Sequence, residues 1–160
     1  MNTRKLARIA LLIALSYLGS MVKIPTPVGT TAFDSAPAFL AGLLLGPWAG
    51  ATVGLLGHLF TAFLTGFPYS VPIHLTIAVG MAVVVAVMAR LSAKRLTLGL
   101  IVALLGNGIA LPLVLAAWPM FSLSIVISAI LPGVLLATAL NLIVAVGVYR
   151  ALAKRYGQSA

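Results

Sequence analysis

Acidic side chains are almost absent from this sequence of 160 residues, which has one Asp or Glu against ten Lys and Arg and a net charge of +9. The single carboxylate is Asp34. Chemistry that needs paired carboxylates, including intramembrane proteolysis by two aspartates, is therefore excluded. Hydrolytic metal sites require convergent histidine and carboxylate ligands. The sequence offers few such ligands, namely one Asp and two histidines, His58 and His74. We expect no bound metal.

Two further absences narrow the possible functions. Cysteine is missing, which excludes disulfides and thiolate metal sites. No glycine-rich loop ends in Lys followed by Ser or Thr, so the chain does not hydrolyse ATP by itself. Ion-coupled carriers usually place ionisable groups inside the membrane, and only the two histidines qualify here. We predict that the chain is not an enzyme and uses no cofactor.

The composition is that of a membrane protein. Apolar residues make up 62% of the chain and charged residues 7%, whereas soluble domains have roughly 25% charged residues. The basic residues lie in small groups between apolar runs, which argues against a nucleic-acid surface. The N-terminus resembles a signal peptide, but no small-residue cleavage site precedes Lys23. We interpret this segment as a retained first helix of a polytopic helical protein.

Six apolar runs follow one another along the chain, at about 6–23, 36–46, 48–66, 71–90, 97–117 and 122–150. The second run is short, because a helix of that length reaches only ~16 Å, about half of a hydrocarbon core. An alternative is one long helix over 36–66, kinked at Pro47.

The distribution of positive charge favours six separate segments. With the N-terminus inside, nine of the ten basic residues are cytoplasmic and only Lys23 is outside. Merging the second and third runs would place seven basic residues outside, against the positive-inside rule. The sequence therefore predicts an all-α integral membrane protein, a single six-helix domain over 1–160 with a short second helix and cytoplasmic termini. The nine predicted cytoplasmic residues are Arg4, Lys5, Arg8, Arg90, Lys94, Arg95, Arg150, Lys154 and Arg155.

Small residues recur at helical spacing in two places. Gly42, Gly46, Gly50 and Gly54 lie four apart in the second and third runs, and Ala7, Ala10 and Ala14 form a stripe on the first. Such rows let helices approach closely in lipid. We expect the glycine row to pack within the bundle. For the alanine stripe, internal packing and a surface for another protein both remain open.

Polar and aromatic residues are concentrated toward the predicted outer side. Several have a purely structural alternative: Asp34 or Ser35 as the N-cap of the second helix, Tyr69 and Trp118 as interfacial residues, and Asn141 as a helix–helix contact. The outward bias nevertheless predicts a cavity that opens away from the cytoplasm. The predicted substrate-binding set is Asp34, His58, Phe67, Tyr69, His74, Asn107 and Trp118.

The chain resembles a known family along its whole length. The segments that carry the resemblance are RKLARIALLIALSYLG, KIPTPVGTTAFDSAPAFLAGLLLGPWAGATVGLLGHL and GFPYSVPIHLTIAVGMA. They are similar to the substrate-binding S components of energy-coupling-factor (ECF) vitamin transporters. The resemblance implies a multi-pass protein of the bacterial cell membrane that binds a vitamin at the outer face. It also implies docking through Ala10 and Ala14 on a transmembrane coupling subunit, which two cytoplasmic ATPases drive.

Within the family, FDSAP, the Gly-His pair in the third run and GFP…PIH most resemble transporters of α-ribazole, a precursor used in cobalamin salvage. This flat bicyclic aromatic on a ribose would stack on Phe67, Tyr69 and Trp118, while Asp34, His74 or Asn107 bind hydroxyls. Riboflavin and thiamine remain alternatives, as do a membrane scaffold or assembly factor and an oligomeric channel. Lys23 alone offers positive charge at the outer mouth, which argues against the anionic vitamins pantothenate and folate.

Overall fold

Six helices, α1 to α6, form most of the protein in the computed structural model, which describes residues 3–26 and 29–155. The first four are α1 Thr3–Ser20, α2 Ala36–Leu45, α3 Pro47–Leu64 and α4 Val71–Ser92. α5 covers Leu96–Ala117, and α6 begins at Leu123 and ends at Arg155. The predicted all-helical bundle of six segments is confirmed. Among the described residues, four helices are long and apolar enough to cross a membrane, namely Pro47–Leu64, Val71–Ser92, Leu96–Ala117 and Leu123–Lys154.

A short antiparallel hairpin, which the sequence pattern did not indicate, connects α1 to α2. Its strands are β1 Lys23–Thr26 and β2 Gly29–Ala32, and Lys23 pairs with Ala32. Proline is tolerated at the edge of a sheet and β-branched threonines favour strands, so Pro25 can lie within β1.

α2 and α3 are separate helices, so the alternative of one kinked helix is wrong. Gly46 lies between them with φ of 93°, a left-handed conformation that ends α2, and Pro47 begins α3. Gly42, Gly50 and Gly54 of the glycine row pack within the bundle, as predicted, whereas a Cβ atom on Gly46 would meet no neighbour. A Cβ atom on Gly50 would lie 2.7 Å from Gly42 Cα and 2.6 Å from Val85 Cγ1, so only glycine allows this approach of α2, α3 and α4.

α2 lies in the centre of the bundle. Its residues Ala36–Phe39, Ala41 and Gly42 are buried, and they pack in a core with Val53, Val85 and Leu142 from α3, α4 and α6. Its ten residues span ~15 Å, about half of the hydrocarbon core. The short helix is therefore stabilised by its neighbours, and its N-terminus lies inside the protein.

α5 and α6 each contain one π-helical turn, at Gly106–Ala110 and Val126–Ile130. A proline follows each turn, Pro112 and Pro132. Proline lacks an N–H and its ring clashes with the carbonyl four residues earlier, which in both helices lies inside the π turn. The wider turn relieves that conflict, and π turns of this kind are frequent at functional sites.

Candidate functional site

A cavity of about 530 Å³ lies between the helices, near the end of the bundle where α1 ends and α4 begins. The hairpin, the segment before α2 and all six helices contribute residues to its wall. Its volume is within the range of small-molecule sites, roughly 300–1,000 Å³. The basic groups at the start of α1 and the ends of α4 and α6 lie toward the opposite end of these helices.

Five of the seven predicted binding residues line this cavity: Asp34, His58, Tyr69, His74 and Asn107. They come from the loop before α2, from α3, from the α3–α4 turn, from α4 and from the π turn of α5. Positions far apart in the sequence therefore converge on one chamber.

Phe67 and Trp118 are outside the cavity wall. The Phe67 ring packs edge-on against His74 and Phe63, with centroids 5.8 Å and 6.3 Å away. Trp118 packs against an apolar cluster that includes Ile73 and Phe121. Among the aromatic residues proposed to stack on a ligand, only Tyr69 reaches the cavity.

Asp34 lies beside α2 without capping it, and of the two predicted N-cap candidates Ser35 takes that position. The N-cap residue is Ser35, and its side chain makes no capping hydrogen bond. The Ala36 N–H instead donates to Asn141 Oδ1 on α6, at 2.7 Å. Asn141 Nδ2 donates in turn to the carbonyls of Ala32 and Ala137. The predicted role of Asn141 as a helix–helix contact is confirmed.

The carboxyl group of Asp34 is available to the cavity. Ser35 Oγ donates to Asp34 Oδ1 at 3.1 Å, and Asp34 Oδ2 lies 4.0 Å from His58 Nδ1. Burial raises the pKa of Asp34 to about 6, against the lowering effect of hydrogen bonds from Ser35 and the local backbone. The carboxyl therefore changes charge close to neutral pH.

The turn between α3 and α4 has a strained backbone. Phe67 and Tyr69 have φ of 50° and 78°, which is rare for bulky residues. Its contacts include a hydrogen bond from His74 Nε2 to the Pro68 carbonyl at 2.7 Å and edge-on packing of the Tyr69 ring against Phe121. Strain of this kind persists only where neighbours enforce it and is concentrated at binding sites.

Polar residues that the sequence analysis did not select complete the wall. Lys23 and Thr138 line the cavity, and Asn107 Nδ2 donates to Thr138 Oγ1 at 2.7 Å. Thr61 also lines it, and its buried hydroxyl oxygen has no hydrogen-bond partner. Thr61 lies three residues after His58, so helical spacing was the signal that could have identified it.

The alanine stripe of α1 faces outward. Ala7, Ala10 and Ala14 are exposed, whereas Ile9, Leu12 and Ser16 form the buried face. Internal packing therefore does not explain the stripe within the part of the protein that the structure describes.

Comparisons with known proteins agree on one family. Residues 4–153 match the family described as "ECF transporter, substrate-specific component". A solved structure of the S component of a bacterial ECF transporter superposes with a TM-score of 0.72 at 23% sequence identity, covering 98% of this chain and 99% of that chain. The solved structure supports the fold. No curated protein sequence matches.

Proposed function

The chain belongs to the substrate-specific components of ECF transporters, and we propose that its cavity captures a vitamin precursor, α-ribazole, for cobalamin salvage. Components of this family bind small-molecule substrates for uptake and work with a transmembrane subunit and ATPases; they are not enzymes. The protein is accordingly a multi-pass protein of the cell membrane.

The observation that carries the proposal is the cavity itself. Its wall includes apolar side chains, among them Ile73, Ile77 and Met81 from α4. Hydrogen-bonding groups of Asp34 and His58 lie on the wall as well. A flat aromatic bicycle attached to a ribose likewise combines an apolar ring system with a set of hydroxyls. Riboflavin and thiamine combine apolar and hydrogen-bonding groups in part and are the alternative substrates.

The proposed orientation places the cavity toward the outside. The basic clusters lie at the other end of the helices, and the positive-inside rule assigns such clusters to the cytoplasm. A substrate would then enter beside the hairpin and the α3–α4 turn.

Coupling to transport is proposed to use the exposed face of α1. Ala10 and Ala14 allow close approach of another helix, and Leu11 beside them is 60% exposed. The partner would be the transmembrane coupling subunit, with two ATPases on its cytoplasmic side.

A thermal-shift screen of the purified chain tests the proposal against its alternatives. α-Ribazole, riboflavin and thiamine would each be added to the detergent-solubilised protein. A ligand present at 100 times its Kd stabilises the folded state by about 2.7 kcal/mol. We expect a clear rise in Tm with α-ribazole. A rise with riboflavin or thiamine alone would reassign the substrate, and no rise with any compound would favour a scaffold or channel.

A further inference from the structure

Four groups form a continuous chain of polar contacts along one side of the cavity. Asp34 Oδ2 lies 4.0 Å from His58 Nδ1, and His58 Nε2 lies 3.1 Å from His74 Nδ1. His74 Nε2 lies 2.7 Å from the carbonyl oxygen of Pro68. This series of contacts therefore begins at the only acidic side chain of the protein and ends at a backbone carbonyl in the strained turn.

The Pro68 carbonyl determines which ring nitrogens carry hydrogen. A carbonyl oxygen only accepts, so His74 Nε2 must be the N–H donor. A neutral His74 then presents a bare Nδ1, which accepts from His58 Nε2–H. The remaining nitrogen, His58 Nδ1, consequently has a lone pair, and this lone pair faces the Asp34 carboxylate.

We propose that the Pro68 carbonyl and His74 act as positioning groups that hold His58 and Asp34 as two facing hydrogen-bond acceptors, so that this wall selects substrates offering a donor there. Below about pH 6 the Asp34 carboxyl carries a proton that faces His58 Nδ1. A substrate O–H or N–H that lies beside the two acceptors and donates to them takes the place of that proton, which is released to solvent. This assignment of substrate chemistry rests on the proposed function, whereas the hydrogen bonds that join His58, His74 and the Pro68 carbonyl do not.

Other charged groups around Asp34 are few. Lys23 on β1 and the phenol of Tyr69 in the α3–α4 turn line the same cavity. The neighbouring polar groups on α5 and α6, Asn107 and Asn141, are neutral amides. The facing acceptor at His58 and the buried position of Asp34 are thus the local features that favour uptake of a proton.

The proposed substrate class follows from the acceptors. Hydroxyl groups of a sugar, an amine or an amidine would bind between Asp34 and His58, because each supplies hydrogens to both acceptors. A carboxylate or phosphate at this position would add a third acceptor and a like charge, and we expect it to be rejected.

Nitrogen NMR of histidine-labelled protein tests the proposed histidine tautomers without any ligand. Only two histidines are present, so a spectrum of the full chain in detergent at pH 8 contains two rings. We expect both to be Nε2–H tautomers. A carboxylate beside Nδ1 would by itself draw a hydrogen to that nitrogen, so an Nδ1–H tautomer at His58 would overturn the proposal.

Two variants separate positioning from packing. His74→Phe removes the acceptor for His58 Nε2–H, and we expect His58 to change to the Nδ1–H tautomer that donates to Asp34. Phe67→Leu alters a ring that touches His74 without a hydrogen bond, and the His58 tautomer should stay unchanged. An unchanged tautomer in both variants would show that His74 has no such role.

Binding of α-ribazole at pH 5 and pH 7 tests proton release. With a pKa of about 6 at Asp34, replacing one proton weakens binding about tenfold at the lower pH. The readout is the ratio of wild-type affinity to that of Asp34→Asn, because ionisation of the ligand cancels in this ratio. We expect the ratio to fall about tenfold from pH 7 to pH 5. A constant ratio would contradict proton release, whereas absence of binding at both pH values would instead contradict α-ribazole as the substrate.

Discussion

At the scale of single residues, Asp34 was predicted to cap α2 or to bind substrate, and its side chain does not cap α2. Its carboxyl faces the cavity, while Asn141 supplies the hydrogen bond at the start of α2. A substitution at Asp34 should therefore affect ligand binding without removing a helix cap.

Asp34→Asn tests this separation. The variant keeps the size of the side chain and loses its charge, and a hydrogen bond to a charged group contributes about 1.5–3 kcal/mol. We expect α-ribazole to bind roughly 10- to 150-fold more weakly, with the protein still folded, as measured by titration calorimetry and size-exclusion chromatography. Unchanged affinity would remove Asp34 from the binding site and leave His74 and Asn107 as the candidates.

At the scale of elements, the start of α2 depends on a residue 105 positions away. Asn141 accepts from the Ala36 N–H and donates to two carbonyls. Its removal leaves a buried N–H without a partner, which costs about 1–3 kcal/mol.

Asn141→Ala should consequently lower the Tm of the purified protein, whereas Ser35→Ala should change it little, because Ser35 makes no capping bond. Both values come from the same thermal-unfolding measurement in detergent. If Ser35→Ala lowered the Tm more than Asn141→Ala, the result would instead support a side-chain cap by Ser35.

The element boundaries were predictable because they depend on local chemistry. Gly46 followed by Pro47, and the glycine and proline around Phe67, interrupt helices whatever their neighbours are. The capping role of Asn141 and the convergence of Asp34 with His58 depend on tertiary packing, which spacing does not reveal. The binding role of Tyr69 and that of Trp118 looked alike in sequence, and only packing places one inside the cavity wall.

α1 is the element on which the proposed coupling depends. Replacing Ala10 and Ala14 together with Leu adds bulk on an exposed face and should block close approach of another helix. We expect uptake by whole cells to fail while α-ribazole binding by the purified chain persists. Ala110→Leu, at an exposed position of α5, is a control that should preserve both. Loss of binding together with uptake would place the stripe in the packing of the chain itself.

At the scale of the whole molecule, the proposed outward orientation of the cavity rests on charge asymmetry. Because the sequence has no cysteine, single cysteines can be introduced without background. We expect an impermeant thiol reagent to label Met120→Cys in intact cells and to leave Ala93→Cys unlabelled, since these exposed positions lie at opposite ends of the bundle. Labelling of the second variant alone would invert the topology.

Binding of α-ribazole to the isolated chain tests the central claim most directly, because capture by the cavity requires no partner subunit. Titration calorimetry of the purified protein should give one site per chain. Thr61→Phe, which projects a ring from a cavity-lining position, should abolish that binding while the variant elutes as a folded protein. Binding that is absent from the wild type would contradict α-ribazole as the substrate, and binding that persists unchanged in folded Thr61→Phe would contradict the assignment of this cavity as its site.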